Sequence, residues 1–322
     1  MNKDNLIRLM NEDLIPLDDG RQNKGVVCLA NESRFTSANF SEPLTAYSVG
    51  WADPDNLQAL IDSLFPPVEA PRRFEFKRAT NSEAFLSETD DVRAIGSPFK
   101  RVEFTGESVN EKTLNKGLTV RLDRDEIVAG SEERAVGMLR ARLLRNDLRR
   151  GVALVIAAAH NTNKTWNTAS DPDADVLDAI ALGGDKRGSD GDLLVYGTAA
   201  FQKRWKTFRA QNNAGAYASS QMSIDQVASQ LGVRRGMISA ARYQSTATAK
   251  ARVLGSYVLS YSAPQGVSKD DPSNVKRFWT PTSAGVVAVY REEFPKYIDI
   301  SVEHYSNIVI TSTLGIEMLT IA

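Results

Sequence analysis

The stretch SEERAVGMLRARLLRNDLRRGVALVIAAAH, residues 131–160, decides how the rest of the chain is read. As one helix rising about 1.5 Å per residue it would reach roughly 45 Å. Glu132 and Glu133 sit in its first turn, where the helix dipole favours acids. Its apolar stripe drifts. Val136, Leu139 and Leu143 mark one face, then Leu144, Leu148, Val152 and Val155 mark another. The drift breaks any coiled-coil heptad and predicts different neighbours at the two ends. Gly151 is a candidate bend.

The segment before this helix is charged and extended. Phe74 and Phe76, then Val102 and Phe104, then Leu118, Val120 and Leu122 alternate with polar residues, the period of strands with one apolar face. Residues 78–98 are polar and hold Gly96 and Pro98, so the region reads as a long hairpin with a mobile tip. A two-stranded ribbon is marginal alone in water, and its apolar face needs a partner in this chain or in another subunit. Residues 1–52 read as irregular. A short helix is expected after them, capped by Asp53, with Pro54 in its first turn and Leu57, Leu60, Ile61 and Leu64 on one face. Pro66 and Pro67 would stop it.

Beyond the long helix, the chain alternates helix and strand. Asp171 caps a helix that begins at Pro172 and buries Val176, Leu177 and Ile180. LGGDKRGSDGD, residues 182–192, reads as a break. A strand at 193–196 and a helix at 198–208 come next. Ser223 caps a further helix, and VLGSYVLSYSAP ends a strand at Pro264. The tail is strand-rich, with VVAVY, YIDISVEHY and NIVITSTLGIEML. The expected fold class is α+β.

Composition sets the bounds. The 322 residues suffice for one large domain or two ordinary ones. Hydrophobic residues at 42% and charged residues at 25% are those of a soluble globular protein. A net charge of -1 gives no global electrostatic reason for tight nucleic-acid binding. The single cysteine, Cys28, excludes an intrachain disulfide. With no secretory signal and no apolar run of membrane-spanning length, a soluble, cytoplasmic chain is expected.

Candidates for chemistry are few. His160 and His304 lie in no metal-ligand spacing and read as packed or surface residues. A Cys28–histidine pair has no local signature behind it. DPDADVLD, residues 171–178, has acids in the manner of a calcium loop, but Val176 and Leu182 stand where glycine and the last acid belong. The start of a helix explains those acids better. DKRGSDGD, residues 185–192, reads as a solvated loop rather than a cation site. Arg142, Arg145 and Arg149 share a helix face, with Arg140 and Arg150 nearby, and could meet phosphates, an acidic neighbour or solvent. Tyr290, Phe294, Tyr297 and Tyr305 read as core and strand-pair residues. No catalytic residue, metal or cofactor is expected.

Arm, long two-stranded loop, long helix, mixed α/β region and returning strands together form a known order of parts. It resembles the tailed-bacteriophage major capsid protein of the Hong Kong ninety-seven type, whose fold is shared with encapsulin shells. KTLNKGLTVRLDRDEI, DLLVYGTAAFQKRW and the ending from VVAVYREEF onward carry the local likeness. The resemblance implies an N-terminal arm at 1–70, an extended loop at 71–125 and a peripheral domain with its spine helix at 126–165. An axial domain would occupy 166–275, and 276–322 would return to the peripheral domain.

The resemblance also implies a structural subunit, not an enzyme. Many copies would build hexamers and pentamers of an icosahedral shell around double-stranded DNA, as a virion capsid assembled in the host cytoplasm. Its partners would be other copies, a portal, a separate scaffolding protein, non-specifically contacted DNA and potentially a decoration protein, with no membrane. The residues expected to touch other subunits are Lys77, Lys100 and Arg101 on the loop and Arg142, Arg145 and Arg149 on the helix. Lys77 and Lys100 flank the loop, but no partner or catalytic acid is identifiable, so a covalent cross-link is not expected. The alternatives are an encapsulin-type compartment and a two-domain enzyme with dispersed site residues.

Overall fold

The computed structural model describes residues 38–78, 92–93, 97–99, 107–246, 248–282 and 285–322. Cys28, Lys100, Arg101, Val102 and Phe104 lie outside them.

The long helix forms as one piece, α3, Ser131–Ala158, and its 28 residues span about 42 Å. It stops two residues short of His160, which opens a strand. The drift of its stripe is borne out. Val136, Leu139 and Leu143 pack with Leu44, Val289, Ile300 and Val302. Leu144, Leu148, Val152 and Val155 join a second core with Leu57, Ile61, Phe65, Leu259 and Ile308. At Gly151 the helix runs on unbroken. A Cβ there would lie 2.5 Å from the Phe65 ring and 2.9 Å from Ile308 Cδ1, so glycine lets the Phe65 ring touch the helix backbone. Gly151→Ala gains helix propensity of about 1 kcal/mol but overpacks this contact by about 1–3 kcal/mol. Urea unfolding of isolated subunits is expected to show a net loss.

Two sheets flank the helix. Strand β13, Tyr297–Ile310, is the axis of the first. From Tyr297 to Ser306 it pairs antiparallel with β4, Leu114–Asp123. On its other edge it meets β12, Ala288–Glu293, and then β11, Val275–Thr280. The tail thus runs on as one strand where the sequence reading divided it. β1, Pro67–Glu69, adds parallel to β11.

The second sheet has the order β5-β14-β10-β6-β7, namely His160–Lys164, Glu317–Ile321, Tyr257–Tyr261, Leu193–Gly197 and Arg235–Ser239. On its outer face lie α4, Pro172–Arg187, α5, Thr198–Ala210, and α7, Ile224–Gln230, around Trp166, Val176, Tyr196 and Val227. The short α6, Ala214–Ser220, follows α5. Ser223 forms the expected cap of α7, in a reciprocal capping box with Gln226.

Several expectations are corrected. Residues 1–52 are not wholly irregular: α1, Glu42–Gly50, is capped by Ser41. Its inward face is Leu44, Thr45 and Ser48, too polar to register as an apolar stripe. The next helix, α2, Leu57–Leu64, starts later than Asp53 suggests. Asp53 still accepts from the Gln58 amide at 3.0 Å, as a loop anchor outside the helix. The glycine pair 183–184 does not break α4. A Cβ on Gly183 would stand 3.0 Å from the Gly315 carbonyl and one on Gly184 2.5 Å from Asp190, so the pair gives close approach within a helix. Leu177 on α4 is exposed, not buried.

The largest correction concerns the ribbon. Phe74 and Phe76 are buried on β2, Arg73–Arg78, as expected. Its partner is β3, Glu107–Lys112, a polar strand with no apolar alternation, while the Val102 and Phe104 run expected to return beyond the tip lies outside the described residues. The chain leaves the ribbon at buried Thr113 and enters the first sheet as β4, where Leu118, Val120 and Leu122 pack towards α3. The ribbon's apolar face is covered by this chain at its root. Phe74 and Phe76 meet Phe278 at ring distances of 4.3 and 5.8 Å, beside Val68 and Val309.

Candidate subunit-contact face

One side of α3 carries Met138 and Arg142, both exposed. The arginine row divides by what each guanidinium reaches. Arg145 donates to Asp55 Oδ2 at 2.8 Å, a solvated pair contributing about 0–1 kcal/mol. Arg149 stacks over Tyr243 at 5.1 Å. Arg142 faces solvent. Arg140 and Arg150 turn inward instead. The first donates to the Ser48 carbonyl at the end of α1, and the second to Asp147.

The Arg149–Tyr243 contact brings the row against a two-stranded turn, β8, Arg242–Gln244, and β9, Lys250–Arg252. Between that turn, α2 and Arg145 lies an open groove of about 640 Å³ lined by Leu60, Met237, Tyr243 and Lys250. The row is therefore the rim of a larger basic surface that includes exposed Arg242, Lys250 and Arg252. No spacing in the sequence links residue 149 to residue 243.

On the opposite side of α3 sits a charge cluster that sequence reasoning missed. Asp147 is 2% exposed. Its Oδ1 accepts from Lys116 Nζ at 2.8 Å and Arg150 Nη1 at 3.3 Å, and its Oδ2 meets His304 Nε2 at 3.0 Å. Burial alone would raise the carboxyl, but His304 and Lys116 hold it well below the usual carboxylate range. Burial pulls the Lys116 ammonium down, and Asp147 partly offsets that. The cluster locks α3 to β4 and β13 in one register. The lone acid among arginines in LLRNDLRR was its only sequence signal.

The root of the ribbon has its own clasp. The Lys77 amide donates to Asp270 Oδ1 at 3.0 Å, and Lys269 Nζ donates to the Glu75 carbonyl at 3.3 Å. Fully buried Lys276 holds the same loop from below, donating to the carbonyls of Lys269 and Asp271. Burial lowers its ammonium to about 8.

Of the acids considered for calcium, Asp178 and Asp185 are exposed and several others are used in packing. Asp171 caps α4, Asp173 grips buried Arg204 at 2.6 and 2.7 Å, and Asp175 accepts from Lys164 and Trp166. Asp192 pairs with Arg235 at 2.7 Å. Among the described residues no cluster of three or more His, Cys, Asp or Glu side chains is arranged to hold a metal. His160 meets Glu317 at 2.8 Å. The four aromatics serve strand pairing, with Phe294 stacked on Tyr297 at 4.5 Å and the Tyr290 hydroxyl donating to Glu303. No described helix is long and apolar enough to cross a membrane.

No protein-family model matches the chain, and no curated protein matches it in sequence. Among solved structures it is similar to a phage-related protein from Bordetella bronchiseptica RB50. That match has 18% identity and a TM-score of 0.64, over 87% of this chain and 96% of the other. The mature capsid of bacteriophage PhiM1 matches at 11% identity and a TM-score of 0.47, over 80% of this chain and 85% of that one. An encapsulin from Synechococcus elongatus PCC 7942 matches at 10% and 0.44, over 84% and 89%. These two superpose too loosely to bear on the assignment. The Bordetella likeness shows the fold: this chain is built as that phage-related protein is, in the mixed α+β arrangement that the resemblance to phage capsid proteins implies.

Proposed function

We propose that the chain is a structural subunit of a self-assembling shell, the major capsid protein of a tailed phage. The observation that carries this is the ribbon. Its root is packed on this chain, its β3 strand is polar and largely exposed, and twenty-eight residues of sequence, 79–106, separate its two strands. A clasped root with that many residues between its strands suits an element that lies on a neighbouring subunit, and the fold shared with a phage-related protein supports the same reading.

In the assembly, copies would form hexamers and pentamers around packaged DNA, served by a portal and a separate scaffolding protein. Negative-stain microscopy of the expressed chain tests the proposal. Closed shells or regular tubes are expected, and a compact dimer or tetramer would overturn it.

Lys77, Lys100, Arg101, Arg142, Arg145 and Arg149 are the proposed contacts to other subunits. Replacing Arg142, Arg145 and Arg149 together by alanine is expected to cost the isolated subunit no more than about 1 kcal/mol while lowering particle yield. Full particle yield with loss of DNA retention would reassign the row to the genome.

A further inference from the structure

On the outer layer of the second sheet, two strips are left uncovered. The first is on α4. Leu177 is 49% and Leu182 39% exposed, beside exposed Ala174 and Ala181 and the acids Asp178 and Asp185. These positions recur at three- and four-residue spacing and form one helix face. The other side of α4, with Val176, Ile180 and Gly183, is buried in the core. The second strip is on α5 and α6. Trp205 is 41% and Tyr217 54% exposed, and the Arg209 guanidinium lies between their rings, 4.9 and 5.3 Å from the two centroids. Lys206 is exposed beside them. Here too the other side of the helix, with Ala200, Arg204 and Phe208, is buried.

The strips are complementary. One is aliphatic with two carboxylates, the other aromatic with two cations. Among the described residues, Asp178, Asp185 and Lys206 have no ion-pair partner, and no ion pair joins one strip to the other. Neither strip complements itself, because like charges would meet across a two-fold axis. Exposed large apolar side chains rimmed by charge mark contact surfaces. A wide aromatic pair held by an arginine is the composition that anchors protein interfaces.

We infer that the acidic α4 strip of one copy docks on the Trp205–Arg209–Tyr217 strip of the next. Such a contact is heterologous, head to tail, and a suitable rotation closes it into a ring. The inference rests on the shell reading and names one contact within it.

Charge reversal tests it. One variant carries Asp178→Lys with Asp185→Lys, a second carries Lys206→Glu with Arg209→Glu, and a third carries all four. Every altered position is exposed, so circular dichroism should match the unaltered chain. Each single-strip reversal is expected to lower particle yield at least about tenfold, and the four-fold variant to recover it. Recovery separates this contact from damage to the fold. Normal particles from either single-strip reversal overturn the contact and leave the shell reading intact. Normal particles from the Lys206→Glu, Arg209→Glu variant with loss of co-purifying DNA would assign the basic strip to nucleic acid instead. An unaltered chain that stays monomeric overturns the shell reading and this contact with it.

Discussion

Joining Arg78 to Glu107 through a two-residue Asn-Gly turn, with 79–106 removed, is expected to abolish particles and leave the subunit folded. The two residues face each other in the antiparallel register, so a tight hairpin closes there without shifting a strand. Phe74 and Phe76 keep their packing on Phe278, and the clasp at Lys77 and Glu75 survives. The thermal unfolding midpoint should therefore stay close to that of the isolated unaltered subunit. Particle yield, read by sedimentation and microscopy, should fall by at least about tenfold. Intact particles from this deletion would remove the main support for the shell reading.

Asp147→Asn is expected to destabilise the isolated subunit by about 3–5 kcal/mol, the effect of breaking a buried ion cluster from one side. The amide fills the same space but leaves Lys116, 10% exposed, without its counter-charge. The pH dependence fixes the cause. The Asp147 carboxyl is depressed in the folded state, so its contribution is complete above the ordinary carboxylate value, about 3.9. It is lost as pH falls from there towards the lower folded value. The gap in urea stability between the variant and the unaltered chain should hold steady from about pH 5 upward and narrow below about pH 4. A gap independent of pH would assign the loss to packing rather than to charge.

Much of the architecture could be read from local pattern. The drifting stripe of α3 is borne out because each half faces its own core, Val302 and Ile300 at one end and Phe65 and Leu259 at the other. Asp171 with Pro172, and Ser223 with Gln226, mark helix starts because a cap needs only neighbours within three residues. Alternation at 118–122 correctly marked a strand. It could not say which strand it joins, since pairing is settled by residues nearly two hundred positions away. The site was less legible. Helix period sets Arg140 and Arg142 about 200° apart but not what each one reaches. Tyr243 reaches Arg149 only through the fold of the chain between them.

The sequence by itself determined what is local: the drifting stripe of the long helix, the caps at Asp171 and Ser223, and the strand period. These follow from backbone geometry and nearest-neighbour chemistry. The tertiary structure alone decided that ESVNEK is the ribbon's second strand, that a glycine pair stays helical and that Asp147 is the buried hub of α3. Each of these depends on what a distant segment presents: Phe74 and Phe76 pack on Phe278 and need only Val109 from β3, Gly315 requires a bare backbone opposite, and Lys116 with His304 reaches Asp147 from β4 and β13.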